Sequence, residues 1–383
     1  MEKNRYSSYL LIIVIYIIFI GLGLPDTILG VAWSSIRRSL SLPLEAAGII
    51  TLSITICTVI SSFASGLLLD RFGTHSVIFT SLLFSSGALF GFSISSSLWW
   101  LLLFALPLGI GAGAIDTSVN HFVALNYSPK TMNWLHSFWG VGAFLGPTII
   151  SFYLANSGNW RDGYRAIAII LLTISLIVAI SFSLWQDKSV KEKKAPPKET
   201  EKQTSQINLQ LRRDIFICVI AFPIYIAIEM GIGVWMGSYL IDRRSLNEAN
   251  AGLIVSLYYA SITVGRIFSG FIANNIPVQK LLNLGFLLMF IGASMLLAHQ
   301  NSLLITSILL LGIGCAPIYP SMIYRTPQLF GKANSQKITG YQIGCSYLSG
   351  VLILPAVGFL SIDAHPSNCK AIWTEIPDSS TLG

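Results

Sequence analysis

Charged residues are scarce in this chain of 383 residues. Asp, Glu, Lys and Arg make up 11% of it, although they supply about 25% of an ordinary soluble domain. Hydrophobic residues make up 53%, and the mean hydropathy is +0.68. So little charge excludes an ordinary soluble globular protein and indicates a chain that is largely embedded in a lipid bilayer.

Paired cysteines and metal-ligand clusters are also missing from the sequence. Four cysteines lie in apolar runs and only Cys369 lies in a polar stretch, with no C-x-x-C pair and no Cys/His cluster. Neither a disulfide framework nor a metal site is therefore predicted. The segment GIGAGA at 109–114 fits a loose dinucleotide pattern, but it lies inside an apolar run with no strand before it. We predict no cofactor and no enzymatic activity.

Apolar runs of about 20 residues recur along the whole sequence, which is long enough for a helix to cross a bilayer. The runs are continuous and not alternating, so they indicate helices and not a β-barrel. The predicted fold class is an all-α polytopic membrane protein. We predict eleven spans, at residues 9–35, 46–68, 76–96, 99–125, 132–155, 164–185, 214–240, 251–274, 280–298, 302–324 and 338–361.

The net charge of +7 is concentrated in alternate loops and is not a nucleic-acid footprint. With the N-terminus in the cytoplasm, sixteen of the 24 Lys and Arg fall on the inner side, seven on the outer side, and Arg266 falls within a span. Cytoplasmic loops are enriched in Lys and Arg. We therefore predict a multi-pass protein of the plasma membrane with a cytoplasmic N-terminus.

One long polar segment divides the chain, and a second polar segment ends it. We predict an N-terminal bundle of six helices at 1–186, a charged cytosolic linker at 187–213, a C-terminal bundle of five helices at 214–361 and a polar tail at 362–383. The tail carries several charges and two prolines, so no apolar window of membrane-spanning length passes through it. We expect it to lie outside the cell, with no twelfth span.

The two halves have similar sequences at matching positions. LGIGAGAIDTSV begins at Leu108 and LGIGCAPIYPSM begins at Leu311, an offset of 203 residues. The same offset carries Asp26, which follows Pro25 within the first span, onto Glu229 in the seventh. Such register predicts two parallel repeats with a functional cavity between them.

A loop segment points to a family. GLLLDRFG at 66–73 resembles the signature G-x-L-x-D-R-x-G of the major facilitator superfamily, although Thr74-His75 replaces the usual basic pair. Within that superfamily the chain is most similar to the fucose–proton symporters. The similar segments are the first-span acid Asp26, GIGAGAIDTSVN at 109–120, LHSFWGVG at 135–142 and GRIFSG at 265–270.

This resemblance implies roles for particular residues. Asp26 and Asp116 fall on the family's two acids for substrate recognition and proton coupling. His136 and Trp139 fall on the glutamine and asparagine that bind sugar in that family. Because these residues differ, the resemblance does not identify the particular sugar. Gly66, Asp70 and Arg71 fall on the cytoplasmic gate.

The residues themselves support several of these sites. Gly109, Gly113, Asp116 and Asn120 share one helix face, and an ionisable residue within a span indicates a functional site. Glu229 is a further proton-coupling candidate. The other candidates are Asn120, Trp235, Tyr341 and Gln342 for substrate binding and Arg266 for a gating ion pair. Each has a structural alternative: a buried acid or amide ties helices together, tryptophans anchor at interfaces, and a long basic side chain extends to the surface.

These observations predict a secondary transporter that moves a monosaccharide or similar polyol with protons by alternating access, as a monomer in the lipid bilayer. The alternative is a proton-coupled efflux antiporter, because GAFLGP at 142–147 resembles part of an antiporter signature. A membrane sensor that binds sugar without moving it is a weaker alternative, since no sizeable soluble domain accompanies the spans.

Overall fold

The structure is a computed structural model that describes residues 2–185, 209–298 and 300–363. Within those ranges the regular secondary structure is entirely helical, which confirms the all-α prediction. The helices are α1 (Glu2–Asp26), α2 (Ile28–Leu40), α3 (Ala46–Ile94), α4 (Leu98–Asn126), α5 (Pro129–Ser157), α6 (Trp160–Ile180), α7 (Leu209–Arg244), α8 (Glu248–Ile272), α9 (Val278–Leu297), α10 (Asn301–Cys315) and α11 (Ile318–Asp363).

Helix α3 contains the second and third predicted spans, which are joined by a sharp turn at Gly73. Gly73 has φ 76° and ψ 158°, a conformation that side chains with a Cβ rarely adopt. On α4, Gly111 packs against Ser81 and Ser85, whereas Gly113 packs against Thr58. Because segments from both sides of Gly73 lie against one stretch of α4, the chain reverses direction at this glycine.

Helix α11 repeats this arrangement in the second half of the chain. Gly331 has φ 74° and ψ 161°, close to the values at Gly73. The Oγ1 of Thr326 donates a hydrogen bond of 2.9 Å to Oε1 of Gln342, so the segments before and after Gly331 also lie side by side. The tenth span is α10 with the first part of α11, and the eleventh is the rest of α11.

The first span is interrupted at the position of the Pro-Asp pair. Helix α1 ends at Asp26 and α2 begins at Ile28, with Thr27 at the break. The Oγ1 of Thr27 donates a hydrogen bond of 2.9 Å to the main-chain oxygen of Ala143 on α5. Proline removes a helix hydrogen bond, and Pro25 lies two residues before the break.

Equivalent glycine contacts confirm the predicted repeat. Gly109 packs against the carbonyl of Ile54, and Gly312, which is 203 residues later, packs against the carbonyl of Tyr258. Gly111 meets Ser81 and Ser85, and Gly314 meets Gly285 and Met289, each partner shifted by 204 residues. The two halves therefore use the same close helix packing at equivalent positions.

The two halves meet on the side of the bundle that carries the N-terminus, which we call the N-face; the other side is the O-face. Trp134 of α5 packs on Gly270 of α8 and donates from Nε1 to the oxygen of Ile267 at 3.2 Å. On α11, Gly340 packs against Ser62 of α3. Both contacts are a few helical turns from the N-face.

Two of the sequence-based predictions concern segments that the structure covers only in part. Helix α7 begins at Leu209, within the predicted linker, and residues 187–208 of that linker lie outside the described residues. The predicted polar tail from residue 364 onward, with Cys369, also lies outside them. The domain boundaries and the side on which the tail lies stay predictions.

Candidate functional site

Asp26 lies at the break between α1 and α2, where its side chain is exposed. The indole N–H of Trp139 on α5 donates a hydrogen bond of 2.9 Å to Oδ2 of Asp26. Glycines hold the two helices close together, since Gly23 packs on the main chain of Trp139 and Gly142 packs on that of Ile20. The partner of this carboxyl is therefore a neutral donor fixed by backbone packing.

Asp116 lies in the middle of α4, where it is 6% exposed. The Nδ2 of Asn120, one turn later on the same helix, donates to Oδ1 at 2.7 Å. The hydroxyl of Tyr347 on α11 donates to Oδ2 at 3.1 Å. Both carboxyl oxygens thus accept hydrogen bonds from uncharged groups, one of which belongs to the other half of the molecule.

His136 extends this network on α5. Its Nε2 lies 3.1 Å from Oδ1 of Asn120, and its ring contacts Tyr319 of α11 edge to face with centroids 4.8 Å apart. Tyr319 lies at the position equivalent to Asp116 after the shift of 203 residues. The predicted residues Asp116, Asn120 and His136 therefore form one cluster, which reaches the repeat-related helix through Tyr319.

Glu229 on α7 has a cationic partner. The Nη2 of Arg266 on α8 lies 2.9 Å from its Oε1, and the hydroxyl of Tyr225 donates to its Oε2. The Tyr258 hydroxyl donates to the main-chain oxygen of Glu229 at 2.9 Å. Glu229 and Arg266, which were predicted separately for proton coupling and for gating, are therefore one buried ion pair.

Three carboxyls and one guanidinium thus lie within these spans. Asp26 and Asp116 are close enough to interact electrostatically. The charge of Arg266 is likewise close enough to interact with His136 and Tyr319, which touch each other across the contact between the two halves. With all acids ionised and the histidine neutral, the formal charge of this group is negative. Such a site attracts protons and cations and disfavours anions.

Three other predicted binding residues lie in different surroundings. Gln342 is fully buried within the C-terminal half, where its Oε1 accepts from Thr326 and its Nε2 donates to the sulfur of Cys218 at 3.0 Å. Tyr341 is 43% exposed and contacts Phe63 of α3 edge to face. Trp235 lines an apolar groove of about 300 Å³ between α7 and α9, and its indole N–H has no partner among the described residues.

The predicted gate residues lie at the N-face end of the first part of α3. Gln336 of α11 donates from Nε2 to the carbonyl of Gly66 and to Oδ1 of Asp70 at 3.4 Å. The guanidinium of Arg71 lies 5.4 Å from the ring of its neighbour Phe72. Gly66 and Asp70 thus contact the other half of the protein, and Arg71 lies beside them on the exposed surface.

Sequence reasoning missed Tyr347, Tyr319 and Tyr225. The repeat offset marks Tyr319 as the partner of Asp116, so the sequence carried that signal. Tyr225 precedes Glu229 by one helical turn, a spacing at which side chains meet. Tyr347 has no such signal, because its contact with Asp116 depends on how two helices from different halves face each other.

The sequence matches the family model described as Major Facilitator Superfamily over residues 15–354. The chain belongs to the Major Facilitator Superfamily. Members of this superfamily are multi-pass membrane transporters, as the sequence predicted. Because the match extends over both halves, the ion pair, the Asp116 cluster and the inter-half contacts all lie within the family fold.

Relatives within the superfamily carry different substrates in their names. The chain is 23% identical to the glucose/mannose transporter GlcP of Bacillus subtilis over 80% of this chain and 78% of GlcP. It is 27% identical to a probable nitrate transporter, NarT, of Staphylococcus epidermidis over 70% of this chain and 67% of NarT. The crystal structure of the transporter FucP in its outward conformation has the same fold, with a TM-score of 0.66, 14% identity and coverage of 94% and 93%.

Proposed function

We propose that this protein moves a monosaccharide or a similar polyol across the plasma membrane together with protons. The observation that carries the proposal is the pair of carboxyls, Asp26 and Asp116, whose hydrogen-bond partners are uncharged. Such a carboxyl can gain and lose a proton without leaving a buried cation unpaired. Glu229 has a guanidinium partner and is better suited to gating, together with Arg266.

The polar groups around these carboxyls match the chemistry of a sugar. A polyol needs both donors and acceptors, and Asn120 and His136 can supply both. Aromatic rings stack on the apolar faces of sugars, and Trp139 lies beside Asp26 in a position to do so. The similarity to GlcP over most of the chain agrees with a sugar as substrate.

The negative charge of the site argues against an inorganic anion as substrate. The group of ionisable residues within the spans contains three acids and one arginine, and that arginine is paired with Glu229. The similarity to NarT therefore supports the superfamily fold more than it supports nitrate transport. The same charge favours a second candidate function, proton-coupled efflux of an organic cation, because a cation and a proton compete naturally for a carboxylate.

Alternating access is supported by the position of the inter-half contacts. We propose that the N-face is cytoplasmic, which follows from the distribution of Lys and Arg. The contacts of Trp134 with α8 and of Gln336 with α3 then close the cytoplasmic side, while exposed Asp26 is reached from outside. The predicted N-terminal and C-terminal bundles at 1–186 and 214–361 are the two bodies that rock against each other.

Counterflow in proteoliposomes tests this function. Vesicles are loaded with unlabelled glucose, mannose, fucose or xylose, and entry of the same labelled sugar is followed at two pH values. We expect one of these sugars to exchange, and to accumulate when an inward proton gradient is imposed. Failure of every sugar, with proton-gradient-driven movement of a labelled organic cation such as tetraphenylphosphonium, would support efflux instead.

A further inference from the structure

The hydrogen bond from Tyr347 to Asp116 joins the two halves of the protein at a titratable group. Three side chains among the described residues donate hydrogen bonds from one half to the other: Trp134, Gln336 and Tyr347. Trp134 and Gln336 act at the N-face end of the contact. Trp134 donates to a main-chain oxygen, and Gln336 donates to a main-chain oxygen and to the exposed carboxyl of Asp70. The acceptor of Tyr347 is a carboxyl in the membrane interior, so this bond can depend on protonation.

We propose that Tyr347 is a positioning residue whose hydrogen bond couples the protonation state of Asp116, in the N-terminal half, to the position of the C-terminal half. With Asp116 ionised, the Tyr347 hydroxyl holds α11 against α4 and keeps the N-face closed. With Asp116 protonated, this link weakens and the N-face can open. The inference rests on the proposed function, because it assigns the link between proton binding and the movement of the two halves.

The donor pattern at Asp116 supports this role. The ionised carboxylate accepts from Asn120 on one oxygen and from Tyr347 on the other. An amide N–H can only donate, whereas a phenol hydroxyl can also accept. A proton that arrives from the outer water is therefore accommodated on Oδ2, where it donates to the oxygen of Tyr347 while the hydroxyl hydrogen turns away. The bond between the halves then changes from charge-assisted to neutral, which is about half as strong.

The surroundings of Asp116 contain few other groups that could take this role. Helix α3 presents Ser61 and Ser62 to α4, and neither side chain titrates. The titratable and charged groups near the Asp116–Tyr347 pair are Asp26 of α1, His136 of α5 and Tyr319, which lies on α11 with Tyr347. Behind them, Glu229 of α7 lies near Tyr319, and Arg266 of α8 lies near both His136 and Tyr319. Of these groups, Asp26 has its hydrogen-bond donor, Trp139, in its own half, so its protonation leaves the bond between the halves intact.

The test measures opening of the N-face directly and needs no substrate. Spin labels are attached at Phe72→Cys and Asn275→Cys, exposed N-face positions in the two halves, in the full chain with its native cysteines replaced. Distance distributions are recorded in lipid nanodiscs at high and low pH. We expect the unsubstituted Tyr347 protein to shift toward longer distances as pH falls. In Tyr347→Phe, we expect the open-to-closed ratio at high pH to be about tenfold higher, which removes most of the pH response.

Two further variants separate this role from a structural one. Asp116→Asn should give the low-pH distribution at every pH, because its side chain is neutral. Tyr153→Phe removes a hydroxyl near the O-face end of α5 and should keep the full pH response. The proposal is overturned if the protein with Tyr347 does not respond to pH, or if Tyr347→Phe or Asp116→Asn keeps the normal response. Because no sugar is present, these outcomes are independent of the counterflow assay.

Discussion

Arg266 and Glu229 form an ion pair inside the C-terminal half, with 2.9 Å between Nη2 of Arg266 and Oε1 of Glu229. The side chains are 9% and 13% exposed, respectively. The repeat-related acid in the N-terminal half, Asp26, has the indole of Trp139 as its partner. One half therefore holds a neutralised acid and the other an acid without a cation, so the two repeats differ in their electrostatic roles.

Glu229→Gln is expected to destabilise the protein by about 3–5 kcal/mol, because it leaves the Arg266 guanidinium buried without a counter-charge. Unfolding in detergent, followed by circular dichroism, measures the change. Glu45→Gln is the matched control, since Glu45 is exposed at the O-face before α3, and it should change stability by less than about 0.5 kcal/mol. Transport by Glu229→Gln should also be weaker than transport by Glu45→Gln.

The double variant Glu229→Gln with Arg266→Gln tests the cause of this loss. Removing both charges leaves no unpaired ion, so it should recover part of the stability that Glu229→Gln loses. If the double variant loses as much free energy of unfolding as the two single variants lose together, the ion pair does not explain the burial of Arg266.

Asp26→Asn and Asp116→Asn are each expected to abolish uphill uptake driven by a proton gradient, because an amide cannot carry the coupled proton. At least one of them should retain counterflow, since Asp26 and Asp116 have separate partners on α5 and α11. Asp162→Asn is the control, because Asp162 pairs with Arg165 near the O-face. Uphill uptake that persists in both single variants would exclude these residues from proton coupling.

The helical framework could be predicted from the sequence, because a run of apolar residues long enough to cross a bilayer has few alternative structures. The repeat was visible because the glycines at 109 and 312 meet the same kind of backbone contact in each half. The interruption at Thr27 does not follow from Pro25 alone, because α4, α5 and α7 continue through Pro107, Pro147 and Pro223. The helical framework and the repeat are thus the features that local sequence determines.

The polar contacts were harder to predict. Sequence spacing shows which residues share a face of a helix, but helix rotation is set by packing against neighbours. Gln342 illustrates the limit: its role in substrate binding stays a prediction, and its contacts with Thr326 and Cys218 could not be predicted from the sequence. Tyr347, five residues later on the same helix, contacts Asp116 instead.

Gly142→Ala should separate α1 from α5 and weaken the contact of Trp139 with Asp26. A Cβ at this position would overlap the main-chain oxygen of Ile20, and a backbone atom cannot move aside as a flexible side chain can. Forcing an extra methyl into such a contact costs about 1–3 kcal/mol. Thermal unfolding in detergent and counterflow should both be impaired.

Gly48→Ala provides the matched control for this substitution. A Cβ at Gly48 would meet no atom within 4 Å, and Gly48 lies in helix α3. Because alanine is the better helix former by about 0.5–1 kcal/mol, this variant should be unchanged or slightly more stable. Equal loss of function in both variants would contradict the close packing of α1 on α5.

A membrane-impermeant maleimide is expected to label Asn156→Cys on intact cells but not Asn275→Cys, in a variant without native cysteines. Asn156 lies near the O-face end of α5 and Asn275 in the N-face turn after α8, and both are exposed. The O-face should be outside because the topology predicted from the sequence assigns sixteen Lys and Arg to the side of the N-terminus and seven to the other side. With eleven spans, native Cys369 should also be labelled on intact cells, and Cys369→Ser should remove that signal. Labelling of Asn275→Cys on intact cells would reverse the orientation, whereas labelling of Cys369 only after permeabilisation would mean that the number of spans differs from eleven.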